Sequence, residues 1–481
     1  VSGSARSALG DGVLTDALNV STRTSNLVKT GAGTMVLSST NSYTGVTRID
    51  AGTFQLGSGG TIGALSLSSL ITGSPGGTLA FNRFDAITQG SNTFGTITGG
   101  INVVQRGMGT TVLAANNTYT GTTGIESGVL QLGSGGTVGS VSSSSVLALG
   151  SGRLVVNRSD AFTQAFASTA LTGGGSVSAG ASNTVNFGAI TRSAGGTLDI
   201  ATTGSFITSS ANVNGILAGI TYGGTTWAVS GTTTAITGLA EGSYTTTTTN
   251  GNTAGNYAAT QNIDVTSSPT LSGAIAANSL RFAGASAQTL TLTGANTVGG
   301  GILVTAGVGA NLLTITGGTL AGSSGGDLVV IQNNPNVVAP PLSIRSVIAD
   351  NGSATGLTKS GSGVLVVATA ASYTGTTSVN AGWLQVGEGG TAGSIASSAA
   401  VVGGANAMLV FNRSDNYGGS YGMPITGLLN LTQLGTGTLT LSAANTFSGT
   451  TRLAAGGLTV ANANALQYST LDLAAGNAGT A

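Results

Sequence analysis

The chain has 481 residues, 14 of them basic and 14 acidic, with no histidine, no cysteine and 82 glycines. Zero net charge from scattered basic residues leaves no clustered footprint for nucleic acid and no polybasic run to hold anionic lipid. Without histidine or cysteine, the Ser-His-Asp and Cys-His arrangements and the usual zinc sites lose their members, and disulfides are ruled out.

Only 6% of residues are charged and the mean hydropathy is +0.33, so the chain lacks the low hydrophobicity and high charge of disordered proteins and is expected to fold. It contains no apolar run of about 18 residues, hence no membrane-spanning helix. The opening VSGSARSALGDG has no signal-peptide apolar core and reads as a mature or trimmed start. Residues 1–25 are polar, with Leu14, Leu18 and Val20 as strand contacts of a first coil.

Residues 27–61, LVKTGAGTMVLSSTNSYTGVTRIDAGTFQLGSGGT, set a pattern that returns at 102–137, at 357–391 and, shortened, at 431–460. Aligned on Gly31, Gly107, Gly361 and Gly435, the copies share an aromatic twelve residues on: Tyr43, Tyr119, Tyr373 and Phe447. They also share glycine fourteen and twenty-one residues on, the latter being Gly52, Gly128, Gly382 and Gly456. Apolar residues alternate with small polar ones in Met35 and Leu37, Thr47 and Ile49, Phe54 and Leu56, and in their counterparts. That period of two, broken by glycine, predicts three short strands per copy. Apolar pairs 19 residues apart, such as Leu37 with Leu56 and Val367 with Val386, fit one three-strand coil. A unit this small buries its apolar face only by stacking on its like, which favours an all-β parallel β-helix, or β-solenoid, over a sandwich.

The string K-S/T-G-x-G-x-L-x-L-x-x-x-N-x-Y-T-G-x-T-x-x-x-A-G-x-L-Q-L/V-G resembles the passenger-associated, or autotransporter-associated, β-strand repeat of bacterial secreted and surface proteins. Four copies match, and a decayed one runs over 290–318. The resemblance implies a right-handed parallel β-helix carried outside the cell. Such chains often end in an outer-membrane barrel, whereas LDLAAGNAGTA at this end has no barrel strands and no terminal aromatic.

Further along, the distance from Gly31 to Gly107 sets a period of 76, and that from Gly361 to Gly435 one of 74, so the true unit is three to four coils long. GSGGTIG at 57–63 reads as a coil corner rather than a phosphate loop, because it lacks the Lys-Ser/Thr of one. We divide the chain into a solenoid over 1–220, an irregular threonine-rich crossing or protrusion over 221–262, and a second solenoid over 263–481. The crossing holds the threonine run 245–249 and the turn 250–252; NNPNVVAPP at 333–341 must be a loop, since proline cannot sit inside a ladder. At about 22 residues and roughly 4.8 Å per coil, the whole would form a rod on the order of 100 Å.

The recurrent charged constellation is Asn-Arg-x-Asp, at Asn82, Arg83 and Asp85, at Asn157, Arg158 and Asp160, and at Asn412, Arg413 and Asp415. It reads either as a periodic patch for a surface glycan or protein, or as a turn-stabilising ion pair, the blander and favoured reading. Tyr222, Trp227 and Tyr244 lie off the repeat and form a second candidate contact surface. No cofactor, metal or catalytic residue is assigned, because no two acids come together outside the Arg-Asp pairs. The functional expectation is an extracellular or cell-surface structural solenoid without catalytic activity: an adhesin-like passenger, stalk or fibre subunit. The alternatives are a filament built by end-to-end homo-oligomeric stacking and, less favoured, a β-helix polysaccharide lyase or hydrolase.

Overall fold

A computed structural model describes residues 7–9, 26–65, 70–90, 93–231, 235–247, 257–336, 342–418 and 422–473. The expectations for Leu14, Leu18 and Val20, for the turn at 250–252 and for the proline pair at 340–341 fall outside these residues. The chain divides into two compact units. The first is Val1–Ser193, Leu198–Ser210 and Ser230–Thr237; the second is Ala194–Thr197, Ala211–Val229 and Gly238–Ala481. Both are built mainly of stacked parallel strands, with no α-helix among the described residues.

The first repeat copy contains four strands, Leu27–Lys29, Thr34–Leu37, Thr47–Ile49 and Gly52–Leu56, where alternation predicted three. Leu27–Lys29 escaped because its phase is inverted: Val28 faces solvent and Lys29 faces inward. Thr34–Leu37 pairs in parallel with Gly52–Leu56 (Thr34 opposite Thr53), and Leu27–Lys29 with Thr47–Ile49. A short third face closes each coil, where Thr40 bridges Ala64. One copy therefore supplies two faces of two successive coils.

Pairing explains the long period. One face of the first unit runs without interruption through Thr34–Leu37, Gly52–Leu56, Gly77–Phe81, Asn102–Gln105, Thr123–Ile125 and Leu147–Leu149. Asn102–Gln105 is the sequence counterpart of Leu27–Lys29, yet it stacks on the column of Thr34–Leu37. The counterpart of Thr34–Leu37 is Thr110–Leu113, which lies on the next face over, stacked on Ile87–Thr88 and followed by Val129–Leu132 and Arg153–Val156. The 76-residue period thus spans three coils and one further face, about 23 residues per coil, and each period moves the motif to a neighbouring face. The second unit repeats the step. There the column of Val364–Val367 continues through 383–386 and 408–411 to Asn430–Gln433, the counterpart of Gly356–Ser360.

Inward residues form the core expected of stacked coils: Leu56, Phe54, Leu113, Leu132, Leu365, Leu384 and Leu409 are fully buried. The repeat aromatics Tyr43, Tyr119, Tyr373 and Phe447 are buried too. Each tyrosine hydroxyl shares a hydrogen bond with the threonine four residues on, Thr47 at 2.6 Å, Thr123 at 2.8 Å and Thr377 at 2.6 Å. Where Phe447 has no hydroxyl, Thr451 bonds Ser469 at 2.7 Å, so the buried polar atom keeps a partner. Gly52, Gly128, Gly382 and Gly456 have φ of 67°, 60°, 64° and 65° and lie against the corner of the coil before. A Cβ at Gly382 would sit 2.4 Å from the Gly363 carbonyl oxygen, which explains why this position is glycine in every copy.

Candidate contact surface

Each Asn-Arg-x-Asp cluster lies on the corner after a strand (Gly77–Phe81, Arg153–Val156 and Val401–Phe411), not inside one. The guanidinium is bidentate to the aspartate two residues on: Arg83 to Asp85 at 2.9 and 2.8 Å, Arg158 to Asp160 at 2.9 and 2.7 Å, Arg413 to Asp415 at 2.9 and 2.7 Å. Its remaining N–H groups donate to carbonyls one coil earlier. Arg83 reaches Gly63 at 2.9 Å and also Thr61, Arg158 reaches Thr137, and Arg413 reaches Gly393. Arg158 also stacks on the Phe162 ring at 3.8 Å and Arg413 on Tyr417 at 4.9 Å.

The three arginine side chains are 10%, 7% and 11% exposed, and the three aspartates 37%, 35% and 38%. The cation is consumed in fastening one corner to the next, and what solvent meets is the outer edge of a carboxylate. Hydrogen bonds from their arginines hold the Asp160 and Asp415 carboxyls below the ordinary carboxylate value. Within the first unit, the clusters at Arg83 and Arg158 follow strands of different faces, so they do not line up as the periodic patch that the sequence suggested. Over the third cluster opens a groove of about 770 Å³ bordered by Thr369, Ser394, Arg413, Asp415, Tyr417 and Thr440.

The second candidate surface needs correction. Trp227 is fully buried and Tyr244 nearly so; Tyr222 alone of the three keeps partial exposure. Tyr222 and Trp227 lie on an antiparallel hairpin, Thr221 opposite Trp227 and Tyr222 opposite Thr226. Trp227, Ile216 and Tyr244 pack on Leu303, Val329 and Ile331, the outward residues of Ala295–Val304 and Asp327–Gln332. Those strands carry unbroken apolar runs, ILV at 302–304 and LVVI at 328–331, and a strand apolar on both faces is buried on both. That signal was present in the sequence and marks where the hairpin lands.

Sequence reasoning also missed Arg281. Its buried guanidinium bonds Asp264 at 3.1 and 2.8 Å, bonds both carboxylate oxygens of Glu241, and lies 3.8 Å over the Tyr244 ring. Burial pulls its pKa down, but the hydrogen bonds it donates to the two carboxylates outweigh this and raise it, while Arg281 holds Glu241 below its usual value. Two acids converge here, yet both are spent on one cation. Among the described residues, no group of three or more acidic side chains gathers as a metal cage, and no helix is long and apolar enough to cross a membrane.

The molecule is thus a tandem-repeat parallel β-solenoid in which the Asn-Arg-x-Asp arginines and Arg281 act as internal fasteners. The passenger-associated-transport-repeat family matches it at residues 27–56, 103–132, 285–308, 357–386 and 431–460. Four stretches are the copies recognised in the sequence, and 285–308 overlaps the decayed one. The chain carries passenger-associated transport repeats over those residues. It is similar to the adhesin BmaC autotransporter of Brucella suis biovar 1 (strain 1330), 34% identical over 153 residues that cover 25% of this chain and 4% of the relative. The chain therefore spans a small fraction of that relative's length. No solved structure matches it.

Proposed function

We propose that the chain is a section of an adhesin-like passenger, exposed on the cell surface or outside the cell, that acts by contact and not by catalysis. The observation that carries this reading is the solenoid of passenger-associated repeats itself, together with the likeness of a quarter of the chain to an adhesin. The chemistry of the corners supports it. The arginines of the three clusters are bonded inward and paired with their aspartates, so that these corners offer solvent a carboxylate edge and neutral side chains suited to many weak contacts. A long array of weak contacts gains strength by multivalency, so single-site affinity need not be high. The groove at Asp415 and Tyr417 gives this surface a concavity in the second unit.

The test is display of the chain on a non-adherent host cell through an unrelated carrier, followed by counting cells retained under flow on immobilised host glycans and matrix proteins. Retention above the carrier alone on at least one coating is expected, and it should weaken when Asp415 and Asn416 at the groove are replaced by alanine. Retention equal to the carrier on every coating would remove the adhesin reading. Release of reducing ends from polysaccharide by the purified chain would remove the non-catalytic one.

A further inference from the structure

Two lysines do work that neither the repeat family nor the proposed function accounts for. Lys29 and Lys359 occupy the same place in their copies, the K of K-S/T-G-x-G, and both are buried. Lys29 Nζ donates to the carbonyl oxygens of Thr30 at 2.8 Å, Gly31 at 2.6 Å and Ala51 at 2.9 Å. In the other unit, Lys359 Nζ donates to Ser360 at 2.9 Å, Gly361 at 2.6 Å and Ala381 at 2.9 Å. Two carbonyls belong to the lysine's own corner and the third to the next coil, 22 residues on. The arrangement is reproduced in two independent units to within the precision of the distances.

Three converging carbonyl oxygens suit a cation with three N–H donors, and no carboxylate is bonded to either nitrogen. In the two remaining copies the position is Gln105 and Gln433. Their amides donate to the same glycine carbonyl and to one more, Gly107 at 2.7 Å and Gly109 at 3.0 Å, and Gly435 and Gly437 both at 2.9 Å. The corner thus demands N–H donors in every copy, and in the lysine copies it clips adjacent coils together through the third carbonyl.

We propose that the carbonyl triads Thr30, Gly31 and Ala51, and Ser360, Gly361 and Ala381, are monovalent-cation sites, which this chain fills in cis with a lysine ammonium. Burial alone pushes the Lys359 amine down to about 7. The triad opposes that push, because a neutral amine has two N–H groups for three acceptors and would turn its lone pair on the third. Lys359 therefore carries its charge in the folded chain at neutral pH, and removal of the side chain leaves a site that draws ammonium from solution.

The experiment uses the whole chain with Lys359→Ala, and with Lys29→Ala in parallel, titrated with ammonium chloride against tetramethylammonium chloride at constant ionic strength. The expected result is a saturable rise in urea midpoint with ammonium, absent with tetramethylammonium, which is too large for the triad, and absent in Lys359→Gln, whose amide fills it. Equal effects of the two salts mean that water alone occupies the corner and overturn the proposal. Should neither alanine variant fold, the unmodified protein decides. Lysine 13Cε shifts followed against pH should show Lys359 titrating above the value of about 7 that burial alone gives, and a midpoint at or below about 7 would refute a cation-holding triad.

Discussion

Gly382→Ala isolates the contact that sets coil spacing. Gly382 has φ 64°, and an added Cβ would meet Gly363 O at 2.4 Å, Gly361 O at 2.5 Å and Ser362 C at 2.7 Å. Backbone atoms cannot rotate aside, so the coils must part by roughly 1 Å at this corner, which strains or breaks the 3.1 Å bond from Trp383 N to Gly363 O. The cost has three parts: about 1 kcal/mol for alanine in the left-handed region, about 1 kcal/mol for the hydrogen bond, and about 1–3 kcal/mol for overpacking. Gly389→Ala is the matched control. Its φ is 87°, and the nearest atom to a new Cβ is Asn412 Oδ1 at 3.8 Å, so only the conformational part applies. Urea unfolding followed through the fluorescence of Trp227 and Trp383 should show Gly382→Ala destabilised by about 3–5 kcal/mol and Gly389→Ala by about 1 kcal/mol. Comparable losses in both variants would mean that backbone conformation, and not close approach of successive corners, requires the glycine, and the packing argument would fail.

Trp227→Ala should lower the urea midpoint by the equivalent of about 3–5 kcal/mol, because a fully buried tryptophan leaves a cavity over Leu303, Val329 and Ile331; an effect under about 1 kcal/mol would place the side chain in solvent. Tyr119→Phe should cost about 1 kcal/mol, since Thr123 keeps its 2.8 Å bond to Ser145 as Thr451 keeps Ser469 in the phenylalanine copy. Acid should weaken the corners. The folded-state carboxyl values of Asp160 and Asp415 lie below the ordinary 3.8, so their contribution is complete above that pH and lost as pH falls through the lower folded value. The Asp160→Asn, Asp415→Asn double variant should show a flatter urea midpoint between pH 5 and 2 than the parent, and identical slopes would show the pairs to be energetically idle. Deletion of residues 31–106, one whole period, should leave a chain that still melts cooperatively with a β circular-dichroism spectrum, because Gly107 takes the place of Gly31 and the faces are interchangeable. Deletion of 31–95, which is not a whole number of faces, should abolish the cooperative melt.

The reason such a deletion can be predicted shows what the sequence carries and what it hides. Period-two apolar pairs such as Met35 with Leu37 are a local signal, and they correctly gave strands, stacking and the 19-residue coil step. The fourth strand was hidden because its buried residue is Lys29, and a buried lysine announces itself only through the carbonyls around it, which come from two coils. Likewise, Trp227 looked like a surface residue because it departs from the repeat. Its partners Leu303, Val329 and Ile331 are about 75–105 positions away, and only their unbroken apolar runs betray that the outer face there is covered. The Asn-Arg-x-Asp clusters invited a periodic patch because equal spacing in sequence suggests alignment in space. Alignment requires the period to be a whole number of coils, and 76 residues at about 23 per coil is three and a third. A repeat of that length cannot present one motif along one face. It presents the motif on each face in turn and returns to the first only after three periods, so any partner of this surface must either read a single corner or surround the solenoid.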